Sequence, residues 1–290
     1  MKFVTFQGAS ARVEAGVLAG DRVIGLAAAG FADMIAVLAS GPEGRATIER
    51  FVNNPPTGST FPLASVRLLA PVPRPPKLIC IGLNYRDHAA EARQEIPKVP
   101  TIFAKFSNTV IGPGAAIVLP KNSRKPDYEA EFAFVIGAGG RHIAAEDWQR
   151  HVFGYTAFND VSARDVQSLT SQWMLGKSFD TFAPMGPYLT SADEIPDPHA
   201  LDISLSIIRP GMGGEVLQHS NTRELIFKIP DLVAYLSSVV TLEPGDVVAT
   251  GTPGGVGFAR KPPRYLQPGD EVVISIEGLG ELRNPVIAEN

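Results

Sequence analysis

The sequence predicts a mixed, β-rich α+β protein in which a small β-rich unit precedes a larger one. Short apolar runs alternate with turn residues, among them 28 Gly and 25 Pro, which is typical of short strands joined by turns. Hydrophobic residues make up 44% of the chain and charged residues 19%, an ordinary composition for a globular protein. A chain of 290 residues is long enough for one large domain and a small one.

The first 70 residues form the predicted small unit. Three apolar runs in it are predicted strands: residues 3–6, 15–18 and 22–26. Two further segments are predicted short helices: residues 31–38 and 45–52. No cluster of catalytic residue types occurs here, so we expect a packing or oligomer-supporting domain. Residues 71–76 contain four prolines and predict an extended connector, because proline lacks an N–H donor and restricts the residue before it. The larger unit then covers residues 77–290.

Charge and cysteine content exclude several classes of protein. A net charge of −4 without a run of Lys or Arg gives no reason to expect nucleic acid or an anionic membrane as a partner. No apolar run approaches the ~20 residues of a membrane span, and the N-terminal residues lack a signal-peptide pattern. Cys80, the single cysteine, excludes an internal disulfide and fits a reducing compartment, so we expect a cytoplasmic protein with Cys80 as a core residue.

Acidic residues in two predicted strands indicate a metal site. Residues 127–136 predict a buried strand in which Glu129 and Glu131 share a face, roughly 7 Å apart. Two unpaired carboxylates there would repel by about 2–3 kcal/mol at an effective dielectric near 20, so either a cation lies between them or both lie on an exposed edge strand. The next strand, residues 152–158, leads to a third carboxylate, Asp160. Three oxygen ligands without cysteine suit Mg²⁺ or Mn²⁺.

A second group of residues indicates acid–base chemistry. Residues 78–81 predict a strand, and residues 84–93 follow it. If that segment is helical, His88 and Glu91 are neighbours on one face, and the carboxylate fixes the tautomer of the imidazole. The alternative is an ordinary solvated helix face. The polar, proline-broken residues 94–100 predict a mobile flap.

Basic and amide side chains fall in three further segments. Lys105 lies in a predicted strand, residues 101–106, where it either extends to water or faces a polar cavity. Ser162, with an acidic residue three positions later, predicts a helix start that places Arg164 and Gln167 on one face. Lys177 follows Gly176 in a predicted turn. Taken singly, each of these side chains is also compatible with an ordinary surface position.

The C-terminal part predicts a hairpin, a helix and a donor-rich turn. The hairpin strands are residues 201–208 and 215–218, with the turn near residues 211–214, and the helix covers residues 230–236. Residues 250–257 are rich in Gly and Thr but lack the Gly-Lys-Ser/Thr of a phosphate loop. Their N–H and O–H groups can instead bind a small carboxylate.

Five motifs, in this order, resemble the fumarylacetoacetate hydrolase (FAH) family. They are residues 82–91 (Gly-Leu-Asn-Tyr through His88 and Glu91), 128–131 (Tyr-Glu-Ala-Glu), 159–167 (Asn-Asp-Val-Ser-Ala-Arg-Asp-Val-Gln), 176–180 (Gly-Lys-Ser-Phe-Asp) and 250–253 (Thr-Gly-Thr-Pro). The resemblance covers about residues 76–290. It implies an FAH-type β-sandwich roll, usually a homodimer, with a divalent metal.

The resemblance also implies roles for single residues. It makes Glu129, Glu131 and Asp160 the metal ligands and His88 with Glu91 the catalytic dyad of the hydrolytic members. Lys177 would be catalytic as well, and the implied substrate contacts are Tyr85, Lys105, Arg164, Gln167 and Thr252. The fourth carboxylate ligand of the name-giving enzyme has no counterpart here, so the site resembles the three-carboxylate subgroup that includes acylpyruvases and diketo sugar-acid hydrolases.

These residues favour one reaction and leave two alternatives. The leading hypothesis is metal-dependent hydrolysis of a C–C bond in a 2,4-dioxo acid, which gives a 2-oxo acid such as pyruvate and a carboxylate. The alternative is an oxaloacetate-type decarboxylase or a 2-oxo acid isomerase or tautomerase that uses the same metal site. A metal-stabilised binding module without turnover is the third possibility, but a binder needs no base such as His88.

Overall fold

The computed structural model describes residues 1–9, 11–211 and 213–290. Its strands are β1 (Lys2–Gln7), β2 (Val13–Ala19), β3 (Arg22–Gly25), β4 (Thr60–Pro62), β5 (Arg67–Leu69), β6 (Leu78–Gly82), β7 (Thr101–Ala104), β8 (Val110–Ile111), β9 (Ile117–Leu119), β10 (Pro126–Asp127), β11 (Ala130–Ile136), β12 (Val152–Asn159), β13 (Ser162–Ala163), β14 (Ala183–Ser191), β15 (Asp202–Arg209), β16 (Gly213–Asn221), β17 (Val247–Ala249), β18 (Glu271–Ile276) and β19 (Gly280–Ala288). Its α-helices are α1 (Met34–Leu38), α2 (Gly41–Asn53), α3 (Arg86–Glu91), α4 (Arg164–Gln167), α5 (Met174–Lys177) and α6 (Ile229–Val239). The predicted mixed, β-rich α+β class is confirmed.

Two sheets make up most of the fold. The larger sheet has 12 strands, ten of them in the order β4-β3-β2-β1-β14-β12-β11-β17-β6-β7, with β5 paired to β1 and β8 paired to β14. The smaller sheet has the order β16-β15-β18-β19-β9, and β10 pairs with β13 separately. Among the described residues no helix is both long and apolar enough to cross a bilayer.

Strand β11 lies at the centre of the larger sheet and is buried on both faces. Phe132 and Phe134 pack into the core between the two sheets, with Leu205 of the smaller sheet. Ala133 and Val135 face a second core on the opposite side. A strand buried on both faces is expected to be continuously apolar, so Glu131, which is 1% exposed, requires a specific polar environment.

The N-terminal strands join the larger sheet. The three predicted strands correspond to β1, β2 and β3, and the two predicted helices correspond to α1 and a longer α2. Strand β1 pairs with β14 as well as with β2, so hydrogen bonds connect the N-terminal unit to the rest of the sheet. The division into residues 1–70, 71–76 and 77–290 stays a prediction.

Several local predictions were wrong. Tyr128 and Glu129 separate β10 from β11, because the amide of Glu129 bonds the Asn159 side chain. The strand predicted over residues 101–106 ends at Ala104. Ser162 does not cap α4, since its hydroxyl donates to the carbonyl of Asp160. The predicted turn over residues 211–214 is not one of these wrong predictions, since it includes Met212, which lies outside the described residues.

Candidate active site

Glu129, Glu131 and Asp160 form a buried carboxylate cluster. One oxygen of each lies within 4.8 Å of the others, and none of the three side chains is more than 6% exposed. The sheet explains this proximity, because β11 begins where the antiparallel β12 ends. Ala130 pairs with Asn159, and the amide of Asp160 donates to the carbonyl of Glu129 at 3.0 Å.

Two buried lysines neutralise part of this cluster. The Nζ atom of Lys177 donates to Glu129 at 2.9 Å and to Asp160 at 2.7 Å, while Lys105 donates to Asp160 at 2.5 Å. Burial by itself would raise the pKa of Glu129, but the Lys177 ammonium and the Arg164 guanidinium lower it to about 2. Lys177 lies at the end of α5 and not in the predicted turn, so a helix holds its ammonium group in place.

Glu131 is the carboxylate of the cluster that lacks a cationic partner among the described residues. It accepts a hydrogen bond from the amide of Gly251 at 2.9 Å. Burial, together with the carboxylates of Asp160 and Glu129, raises its pKa well above the usual range. Lys105, Lys177 and Arg164 contact Glu129 and Asp160, whereas no described cation contacts Glu131. Three carboxylate oxygens within 4.8 Å of one another suit an additional divalent ion such as Mg²⁺ or Mn²⁺.

Arg164 connects the cluster to a fourth buried acid, Asp127. Its Nη2 atom lies 2.6 Å from Glu129, and its Nε atom donates to Asp127 at 2.8 Å. Asp127 is fully buried and also accepts the amides of Gly257 and Phe258. Burial raises the pKa of Asp127, and Arg164 offsets part of that rise. The sequence analysis did not assign Asp127 to the site, because its only sequence signal was its position beside Tyr128 and Glu129.

The predicted dyad lies on α3, beside the glycine-rich loop. The Nδ1 atom of His88 is 3.4 Å from Oε2 of Glu91, and the amide of Gly255 donates to both Glu91 oxygens at 3.0 Å. Burial opposes ionisation of Glu91, but the His88 and Gly255 hydrogen bonds lower its pKa. Asp87, which the sequence did not suggest, accepts the amide of Gly254 and so helps to hold α3 on this loop.

A cavity of about 370 Å³ brings most of the predicted residues together. It is lined by Ile81, Gly82, Leu83, His88, Ala92, Gln94, Phe103, Lys125, Glu129, Glu131, Arg164, Gln167, Ser168, Trp173, Lys177, Thr252, Phe258 and Tyr265. Gln167 accepts a hydrogen bond from Arg164 at 3.0 Å, and Thr252 accepts one from Gln218 at 2.8 Å. Residues 92–100 contain no helix or strand, and Gln94 from this predicted flap contacts the cavity. The aromatic side chains of the lining and Lys125 were not predicted, because they belong to no sequence motif that indicates a site residue.

Two predicted substrate contacts lie behind the cavity wall. Lys105 is 3% exposed and is committed to Asp160 and to the carbonyl of Val161, so the structure gives it a role in holding Asp160. Tyr85 is fully buried, and its hydroxyl has no partner among the described residues. Burial and the charges of Glu131 and Asp87 raise the pKa of that hydroxyl.

Comparisons with known proteins identify relatives of both units of the chain. A family model described as fumarylacetoacetate (FAA) hydrolase C-terminal matches residues 77–287, and one described as Rv2993c-like, N-terminal matches residues 1–71. Over 228 residues the chain is 51% identical to oxaloacetate tautomerase Fahd2a, mitochondrial, from Rattus norvegicus, which covers 78% of this chain and 71% of the relative.

Two solved structures match over 100% of both chains. The 5-carboxymethyl-2-hydroxymuconate delta-isomerase from Mycobacterium smegmatis is 34% identical, with a TM-score of 0.79. The maleylpyruvate hydrolase from Sphingobium sp. SYK-6, in complex with manganese(II) ion and pyruvate, is 32% identical, with a TM-score of 0.83. The family model alone matches more than two thirds of the 290 residues. This chain therefore belongs to the fumarylacetoacetate hydrolase family of enzymes.

Proposed function

We propose that this protein catalyses the tautomerisation of oxaloacetate between its enol and keto forms. The observation that carries the proposal is the shared cavity, which Glu129 and Glu131 of the carboxylate cluster line together with His88, while the buried Asp160 completes the cluster. Half of the matched residues are identical to those of an oxaloacetate tautomerase. This makes tautomerisation, the alternative from the sequence, our first choice.

Glu129, Glu131 and Asp160 would hold the divalent cation. When bound, such a cation supplies Lewis-acid polarisation of a 2-oxo or 2-hydroxyl oxygen. We propose Mg²⁺ or Mn²⁺, and the manganese complex of the hydrolase relative supports a metal of this type. A bound cation would offset both the carboxylate charges of the cluster and the charge of a 2-oxo acid.

The chain's own residues bind the acid and move one proton. From enol to keto, C3 gains a proton from His88, the 2-hydroxyl group loses its proton to water, and His88 regains one from water, so no proton is consumed overall. His88 holds the proton that moves at C3, and Glu91 fixes the orientation of its ring. Gln167 and Thr252 bind carboxylate oxygens with N–H and O–H donors, and Arg164, which stays bonded to Asp127 and Glu129, adds its positive charge. Residues 84–100 cover the cavity and keep bulk water from competing.

The test compares His88→Ala with His219→Ala, a change at an exposed histidine far from the dyad in sequence. Enol-oxaloacetate is mixed with protein and Mg²⁺, and loss of the enol is followed by stopped-flow ultraviolet absorbance. We expect His88→Ala to lower the catalysed rate by about 10²-fold or more and to leave Mg²⁺ binding unchanged. His219→Ala keeps the wild-type rate. Equal rates for the two variants would refute the role of His88.

Hydrolysis of a 2,4-dioxo acid is the second candidate function. The match to the hydrolase relative covers the whole chain, including the N-terminal unit. The match to the tautomerase covers 78% of the chain. In this reaction His88 would deprotonate a water molecule, and Lys177 with Arg164 would stabilise the oxyanion, a contribution of typically about 3 kcal/mol. Product analysis by NMR separates the reactions, because hydrolysis of acylpyruvate gives pyruvate and a carboxylate, decarboxylation of oxaloacetate gives pyruvate and CO₂, and tautomerisation gives neither.

Three further features are proposals of the same kind. We propose a homodimer, which light scattering coupled to size-exclusion chromatography would detect. We propose a cytoplasmic location, since the buried free thiol of Cys80 fits a reducing compartment, and cell fractionation would test it. The independence of residues 1–70 from residues 77–290 is testable by limited proteolysis at the connector.

A further inference from the structure

Lys125 is the cation in the cavity wall that the carboxylate cluster does not engage. Three basic side chains line the cavity. Lys177 and Arg164 are both bound to cluster carboxylates, whereas Lys125 forms no salt bridge with any described residue. We propose that Lys125 binds a second carboxylate of the substrate and so makes the site selective for 2-oxo dicarboxylic acids. This inference rests on the proposed function only in taking the cavity as a 2-oxo acid site.

The backbone fixes Lys125 beside Arg164. The amide of Lys125 donates to the hydroxyl of Ser123 at 3.3 Å, and its carbonyl accepts the amide of Arg164 at 3.0 Å. Pro126, the next residue, pairs with Ala163. The Cα atom of Lys125 is thus anchored to the start of α4, while its side chain is exposed and free to turn. A flexible four-carbon stem can place the ammonium group against a carboxylate in the cavity.

Basic side chains outnumber acidic ones around Lys125, where Asp165 accepts hydrogen bonds from Ser123 and Arg124. Among the described residues that line the cavity, the only carboxylates are Glu129 and Glu131, which belong to the cluster. Tyr265 also lines a neighbouring cavity of about 540 Å³, whose basic residues are Arg124, Arg209, Arg260, Lys261 and Arg264. Arg209 and Arg264 pair with Asp270 and Glu215, which leaves three cations on this side of the site without a salt bridge to a described residue.

The selectivity follows from what each acid leaves unpaired. A 2-oxo diacid places one carboxylate at the cluster end and the other near Lys125, where an ion pair forms. A monocarboxylic 2-oxo acid makes the first contact only, and Lys125 then remains hydrated at no cost. The difference between the two affinities therefore depends on Lys125, while the chemistry at C3 does not.

The experiment uses Lys125→Met and Lys125→Arg, with Lys261→Met as the matched control, because Lys261 is exposed and lines only the neighbouring cavity. Titration calorimetry in the presence of Mg²⁺ measures binding of 2-oxoglutarate as the diacid and 2-oxobutyrate as the monoacid. We expect Lys125→Met to weaken the diacid about three- to fivefold and the monoacid less than about 1.5-fold. Lys125→Arg stays within about twofold of wild type, and Lys261→Met leaves both affinities unchanged. The KM for oxaloacetate rises in Lys125→Met, and kcat does not fall.

Three results would overturn the assignment. The first is that Lys125→Met weakens binding of both acids equally, and the second is that it weakens binding of neither. The third is that Lys261→Met shows the same selective loss of diacid binding, which would indicate a general charge effect. The proposed tautomerase activity fails separately. If wild type turns over no enol but Lys125→Met selectively loses the diacid, the dicarboxylate site stands and only the reaction is wrong.

Discussion

Replacing Asp127 by Asn tests whether this buried acid holds Arg164 and the loop at residues 257–258 in place. One oxygen of Asp127 accepts the amides of Gly257 at 2.8 Å and Tyr128 at 2.9 Å. The other accepts Nε of Arg164 at 2.8 Å and the amide of Phe258 at 3.1 Å. Asparagine keeps the shape but provides a single acceptor oxygen, so one of these two pairs of hydrogen bonds is lost.

The expected loss is about 3 kcal/mol in the free energy of unfolding. If the remaining oxygen faces Gly257, the new NH₂ group faces two donors. The lost bond to Arg164 is charge-assisted and contributes about 1.5–3 kcal/mol, and the lost amide bond of Phe258 contributes about 1 kcal/mol. Arg164 keeps its contact with Glu129, so the loss stays below the upper end of the about 3–5 kcal/mol seen when one partner of a buried ion pair is removed.

Urea unfolding of the metal-free protein measures this loss. Circular dichroism and tryptophan fluorescence should give coincident transitions if one free energy describes the unfolding. Asp21→Asn is the matched control, because the side chain of Asp21 is 96% exposed, and it should change the free energy by less than about 0.5 kcal/mol. In an Arg164→Met background, Asp127→Asn should cost at least about 2 kcal/mol less, because the charge of Asp127 is then unpaired.

Two outcomes would refute this reasoning. A loss below about 1 kcal/mol for Asp127→Asn would mean that the buried hydrogen bonds are replaced by water. An equal loss with and without Arg164 would show that the ion pair does not couple the two residues.

Three more predictions concern stability. Gly257→Ala should destabilise the protein by about 2 kcal/mol or more in urea unfolding, because a Cβ there would lie 2.0 Å from the Arg264 carbonyl oxygen and 2.4 Å from Asp127. The control Gly214→Ala should cost less, because its Cβ would make an ordinary contact with Ile208 at 3.7 Å. Lys105→Met should cost about 3 kcal/mol, the lower end of the range for removing one partner of a buried ion pair, because Asp160 keeps its bond to Lys177; a loss under about 1 kcal/mol would contradict this. Burial first, and then the charge of Lys228, lower the pKa of His199 below 6.5. The unfolded chain therefore binds the proton more tightly, so this residue's contribution is full above pH 6.5 and is lost as pH falls through the folded-state pKa. His199→Asn should flatten the fall in melting temperature between pH 7 and pH 5, and a fall as steep as in wild type would contradict this.

The sequence predicted those parts of the fold and site that depend on local patterns. The apolar runs around residues 130–136 and 152–158 gave β11 and β12, and their order along the chain suggested that Glu129 and Asp160 meet. The i,i+3 spacing of His88 and Glu91 predicted their proximity, because a helix brings such positions together.

The remaining features depend on contacts between distant residues. Lys105 lies 55 residues from Asp160 in sequence, and no local pattern indicates which carboxylate a buried lysine will meet. Strand β1 pairs with β14, for example Lys2 with Thr190, and these strands are also far apart in sequence. The predicted helix cap at Ser162 failed for a similar reason, since Asp165 accepts hydrogen bonds from Ser123 and Arg124 instead.

Glu91, on α3, makes two interactions that depend on each other. The carboxylate that orients His88 is also the group that accepts the amide of Gly255, so any displacement of α3 from this loop would remove the orienting carboxylate from its anchored position. Under the proposed function, docking of the helix and preparation of the base are then one event. An open conformer would admit an acid without exchanging its protons, which would confine the chemistry to enclosed molecules.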